Sequence, residues 1–221
     1  MALGDFYNRN RVAHCVARDL REYQRKTGRD LTLPICAERV GEEVYGLSWD
    51  WDEIEEPHGS RVLAALYVSE ARAVLNERHA ALFAEKPGLE QYTRAHEVGH
   101  AALHVDAGQL GQPPSSSGQG QIVFHRDTSE VGDEAGDYWT ERQADWYAAA
   151  LLMPEGLFVE AVREVRPAHW RDVHLLADRF GVTPTAANVR LQVLKLPHLG
   201  KGSVWVSDPQ TAPGQLTLGL S

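Results

Sequence analysis

Two histidines one helical turn apart, in His96–Glu97–Val98–Gly99–His100, constrain this chain more than any other feature. On a helix, residues at i and i+4 sit one above the other, so both imidazoles can ligate one metal ion. The glutamate between them can then act as base toward an attacking water. Tyr92, Ala95, His96, Gly99, His100 and Leu103 share one helical stripe, which turns both rings toward the interior. Gly99 weakens the helix by about 1 kcal/mol relative to alanine, so its presence predicts a close packing contact.

A tetrahedral zinc with two histidines needs a third protein ligand and an open position. The segment ERQADWYAAALLMP (141–154) reads as a second helix, with Glu141, Ala144, Asp145, Ala148, Leu151 and Leu152 on one stripe. Two carboxylates on an otherwise apolar face need partners, because their desolvation is costly. A metal neutralises Glu141, and Asp145, one turn later, can orient a ligating histidine through its other ring nitrogen. The donor set favours zinc, and manganese or iron also suits it. His104 is off the spacing of a third metzincin histidine and reads as structural or surface-lying. Glu130 and Glu134 lie in a Gly- and acid-rich stretch and read as solvated residues, not ligands.

The chain has 221 residues, 43% hydrophobic and 24% charged, in the range of a globular protein with one core or two small ones. No apolar run is long enough to span a membrane, and the N-terminus lacks a signal-peptide core. Cys15 and Cys36 are too few for a disulfide framework, which points to a reducing cytoplasm. A net charge of −9 argues against nucleic acid as the main partner. Residues 9–29 nevertheless carry six arginines and Lys26 against Asp19 and Glu22, and residues 41–56 carry seven acids. These read as two solvated faces; the sharper alternative is a basic helix that docks an acidic partner.

Helices are expected over 5–27, 34–45, 89–105 and from about 138 to 153, with another after Pro154 and two within 170–196. Strands are expected at 61–68, 72–76, 121–125 and 204–206, and 108–120 reads as a loop. Within 170–196, Thr183 fits an N-cap and Pro184 the first helical position. The few polar and basic residues there, mainly Asn188, Arg190 and Gln192, predict weak or absent DNA binding.

YTRAHEVGHAALH (92–104) and ERQADWYAAALLMP (141–154) together resemble the ImmA/IrrE family of bacterial zinc metallopeptidases, whose motifs read F-T-x-A-H-E-x-G-H and E-x-E-A-N-x-F-A-A-x-L-L-M-P. The resemblance runs over roughly 35–196 and includes LADRFGVTPTAANVRL (176–191), similar to the family's helix-turn-helix-like segment. Gln143 stands where the family has a second Glu, Asp145 where it has Asn, Trp146–Tyr147 near its Phe, and Tyr92 at its first Phe.

The resemblance implies an α+β, zincin-like domain, mostly helical with a small sheet. It implies His96, His100 and Glu141 on one zinc ion, with Glu97 as general base and then acid. The Glu141–x₃–Asp145 spacing resembles the gluzincin pattern, in which the later Asp braces the first histidine. Tyr138, His125 and Arg142 are candidates for stabilising the oxyanion, and none is assigned. The implied activity is site-specific cleavage of a protein, an XRE-type helix-turn-helix transcriptional repressor, in a stress or mobile-element response. The GAF-like sensor domain of stress-responsive relatives is expected to be missing. A second reading is a non-proteolytic, zinc-containing DNA-binding regulator. The expected organisation is a basic helix at 1–30, the metallopeptidase domain at 31–155, the helix-turn-helix-like segment at 156–198 and a tail at 199–221.

Overall fold

The computed structural model describes residues 7–56, 61–106, 108–112, 123–127, 135–200 and 205–206. Its sheet is built around the apolar run VLAALY. Strand β2 (Val62–Tyr67) is flanked by β3 (Arg72–Asn76) and β4 (Val123–Asp127), both antiparallel to it. β1 (Ser48–Asp52) runs parallel to β3, which gives the order β1-β3-β2-β4. Residues 62–66 are all buried, as a strand covered on both faces requires.

β1 corrects the expectation that 41–56 is simply a solvated acidic face. Tryptophans and aspartates alternate in SWDWD, and Trp49 folds inward while Asp50 and Asp52 stay out. Trp49 Nε1 donates to the Glu38 carbonyl at 3.2 Å, and the Arg94 guanidinium lies 5.1 Å from its ring centroid. The charged outer residues suit an edge strand, since they discourage pairing with another chain.

Among the described residues eight helices cover the sheet and one another: α1 (Arg9–Thr27), α2 (Ala37–Val40), α3 (Ala80–Glu85), α4 (Pro87–Leu103), α5 (Ala135–Leu152), α6 (Glu155–Val165), α7 (Trp170–Phe180) and α8 (Pro184–Val193). The chain is thus α+β and mostly helical. The expected helix at 34–45 is broken: α2 begins only at Ala37 and continues as a π turn over Gly41–Tyr45. The cap assignments in α8 hold, with Thr183 Oγ1 accepting from Ala186 N at 3.2 Å and Pro184 in the first turn. A short ribbon, β5 (His198–Leu199) with β6 (Trp205–Val206), follows α8. The expected loop at 108–120 lies mostly outside the described residues, and 128–134, with Glu130 and Glu134, lies wholly outside them. Among the described residues no helix is long and apolar enough to cross a membrane.

The basic helix is held to this body by a buried carboxylate. Asp19, 1% exposed, accepts from Tyr45 Oη at 2.7 Å, Tyr147 Oη at 2.8 Å and Arg18 Nε at 2.8 Å. It thereby ties α1 to the π turn and to α5. Burial pushes the Tyr147 phenol well above its ordinary pKa, so it stays a donor at any working pH. The acidic stretch also meets α1 through a backbone group, with Lys26 Nζ donating to the Glu43 carbonyl at 2.7 Å.

Removing Asp19 strands two tyrosine hydroxyls, one of them fully buried. Asp19→Ala is expected to lower unfolding free energy by about 2–3 kcal/mol, and Tyr147→Phe by about 1 kcal/mol. Urea denaturation followed by tryptophan fluorescence measures both; equal effects would mean that the carboxylate does not organise the cluster.

Candidate metal centre

α4 is buried almost all round. Residues 93–101 and Leu103 are shielded, which is wider than the single stripe the sequence predicts. α5 crosses it at Gly99, where an added Cβ would lie 3.0 Å from the Ala144 carbonyl oxygen and 3.1 Å from Tyr147 Cβ. This is the close contact expected of that glycine. It brings Glu141 and Asp145 against the histidine one turn back along α4.

His96 Nε2 and His100 Nε2 lie 3.0 Å apart. Glu141 Oε2 is 3.0 Å from the first nitrogen and Oε1 is 3.2 Å from the second. The two rings are 1% and 0% exposed, and the Glu141 side chain about a third exposed. On the far side of the first ring, His96 Nδ1 lies 3.1 Å from Asp145 Oδ1. Tyr92 Oη donates to the Asp145 carbonyl at 3.0 Å and so steadies that turn of α5. Glu97, between the two histidines, is fully buried.

His104 has a larger part than the sequence predicts. Its Nδ1 lies 3.3 Å from His100 Nδ1, and its Nε2 lies 3.0 Å from Gln143 Oε1. The amide oxygen can only accept, so His104 Nε2–H donates and His104 Nδ1 is left as an acceptor. His100 Nδ1–H then donates to it, which frees the His100 Nε2 lone pair. Asp145 does the same for His96. The sequence carries a signal for this part: His104 lies one turn beyond His100 on the same face, and Gln143 stands two residues past Glu141 on the second motif helix.

Two imidazole lone pairs and a carboxylate therefore converge on one point, and such an arrangement repels itself unless a cation sits among them. Nitrogen and oxygen donors at ~2.0–2.1 Å from a tetrahedral zinc lie about 3.3 Å from each other, close to the three separations observed. His96, His100 and Glu141 can hold a metal ion. Of the other candidates, Tyr138 is 52% exposed and Arg142 is also exposed. His125 belongs to β4.

The electrostatics keep these donors ready. Burial pushes His100 down to about 4, so the ring is neutral at physiological pH. Burial alone would raise Glu141, but the two imidazoles beside it overcome that and hold the carboxyl well below the ordinary range. The unfolded chain binds a proton at His100 below about pH 6.5, whereas the folded chain does so only near pH 4. Stability of chelator-treated protein is therefore full above about pH 6.5 and falls as pH drops toward 4, by roughly 3 kcal/mol from this ring. Denaturation of wild type and His100→Gln across that window checks this; an unchanged slope in the variant removes His100 as the cause.

A search of curated proteins finds no match. A solved structure of a Mycobacterium tuberculosis transcriptional regulator aligns with 86% of this chain and 48% of its own, at 16% identity and a TM-score of 0.48. The chain thus spans about half the length of that protein. The sequence profile of the IrrE N-terminal-like domain, Peptidase_M78, matches residues 84–192, which take in both motif helices and run through most of α8. Residues 84–192 therefore form an IrrE N-terminal-like domain of the Peptidase_M78 family, in agreement with the ImmA/IrrE motifs.

Proposed function

We propose that this protein is a zinc-dependent endopeptidase that cuts a protein substrate at a specific site. The observation that carries the reading is the convergence of His96 Nε2, His100 Nε2 and the Glu141 carboxylate, each within 3.2 Å of the others. These three residues hold the metal, with Asp145 orienting His96 and the His104–Gln143 pair orienting His100. Zinc supplies a Lewis acid that polarises the peptide carbonyl and eases deprotonation of water. Glu97 takes that proton and delivers it to the departing amine. Glu97 is fully buried on the histidine helix, beside the residues that hold the metal.

The family resemblance supports a helix-turn-helix transcriptional repressor as substrate, in a stress or mobile-element response. A DNA-reading role for the chain itself has less support. Asn188 exchanges two hydrogen bonds with the Leu199 backbone, at 2.9 and 2.8 Å, and Gln192 Nε2 donates to the same carbonyl. Arg190 Nε donates to the Met153 carbonyl at 3.0 Å. The polar residues of α8 are thus engaged in holding the fold.

Two substitutions separate chemistry from metal binding. Glu97→Gln is expected to retain metal and fold while cleavage of the repressor encoded nearest the gene falls by about 10²–10⁴. Glu141→Ala is expected to lose metal and activity together. Metal retention after Glu141→Ala, measured by chelator competition, would show that another residue is the ligand. In the same assay His104→Leu and Asp145→Ala should each weaken zinc binding by about 10–100-fold.

A further inference from the structure

A groove opens beside the metal centre, between α1, α5 and α8, with a cavity volume of about 450 Å³. Four cations line it: Arg9, Arg142, Arg190 and Lys195. Among the described residues no carboxylate forms a salt bridge with Arg9, Arg142 or Lys195. Arg9 instead lies over the Trp146 ring, 5.1 Å from its centroid. Lys195 has φ +55°, a left-handed conformation in which glycine is unstrained and a lysine is not. On a chain of net charge −9, three cations in one groove that form no salt bridge among the described residues leave a place for an external anion.

The rest of the lining says what kind. Ala13, Ala149 and Val193 give an apolar floor, and Asp145 and Glu155 stand among the cations. A polyphosphate or nucleic-acid backbone would meet both carboxylates and leave the floor uncovered. A second cavity of about 350 Å³ shares Ala13, Ala150, Glu155 and Arg190 with the first and continues along α1 to Leu20. The combined groove is long, and a small anion would fill only one end. A chain that alternates acidic and apolar side chains meets each of these features.

Asp145 joins the groove to the metal centre, since its side chain lines the cavity and lies 3.1 Å from His96 Nδ1. We infer that the groove is a docking site for an acidic, apolar segment of the protein substrate, separate from the bond that is cut. This rests on the metallopeptidase reading for its biological sense, but not for its test.

The test uses the full chain carrying Glu97→Gln, so that nothing is cleaved. The probe is a short fluorescein-labelled peptide of Glu, Leu and Ala, followed by fluorescence anisotropy, with its Lys-for-Glu counterpart as control. The acidic peptide should bind, the basic one should not, and affinity should fall as salt rises. Arg9→Glu and Lys195→Gly should each weaken binding, together by roughly tenfold or more. Lys195→Gly relieves the backbone, so its melting temperature should be unchanged or raised, which separates lost docking from lost folding. No binding of the acidic peptide, equal binding of the basic one, or full affinity in the double variant overturns the proposal. Displacement of the peptide by a single-stranded DNA oligonucleotide at physiological salt also overturns it and assigns the groove to nucleic acid. Wild-type cleavage is scored separately. Capture without cleavage leaves the docking site and removes the peptidase; cleavage without capture removes only the docking site.

Discussion

Everything at the candidate metal centre depends on how closely α5 can approach α4. The absence of a side chain at Gly99 lets the Ala144 backbone come within reach of a single carbon atom's width. That approach sets Glu141 and Asp145 on opposite sides of His96, one at each ring nitrogen. A helix pair at ordinary spacing, about 8–10 Å between axes, would need longer side chains to span the gap. Short acidic side chains on a close pair have few rotamers that reach the rings.

The same economy explains why the second histidine needs a different brace. His100 lies farther along α4 than Asp145 can reach, and α5 offers Gln143 toward that end of the helix. The gap between them is filled by His104, which passes the hydrogen bond from amide oxygen to ring nitrogen. One histidine is therefore oriented by a carboxylate and the other by a neutral chain. A neutral brace adds no charge to a ring that burial already keeps deprotonated.

Much of this was legible in the sequence because helical periodicity is a local property. The stripes through His96 and Glu141, the glycine at 99 and the Thr183–Pro184 helix start follow from residue spacing alone, and the structure has them. What escaped depended on contacts between distant segments. SWDWD carries the alternation of a strand, but its acids outweighed its tryptophans until β3 supplied a partner. Asp19 looked like one of two acids on a basic face; only the arrival of Tyr45 and Tyr147 makes it an anchor. His104 stood in plain view, yet its part depends on Gln143, a residue 39 positions away.

Gly88, near the start of α4, has an implication for movement. A Cβ there would lie 2.6 Å from the carbonyl carbon of Val182 and 2.7 Å from the Thr183 nitrogen, so the first turn of the histidine helix is pressed against the backbone joining α7 and α8. Gly181, in the same turn, is as tightly set against Pro34, where an added Cβ would lie 2.8 Å from the proline ring. The joint is wedged from two directions and contains no long side chain that could swing aside. His96 sits eight residues along a stiff rod from this joint, about 12 Å at 1.5 Å per residue. The α7–α8 corner and the histidine helix therefore share one backbone contact, and the position of that corner is fixed together with the helix that carries His96 and His100.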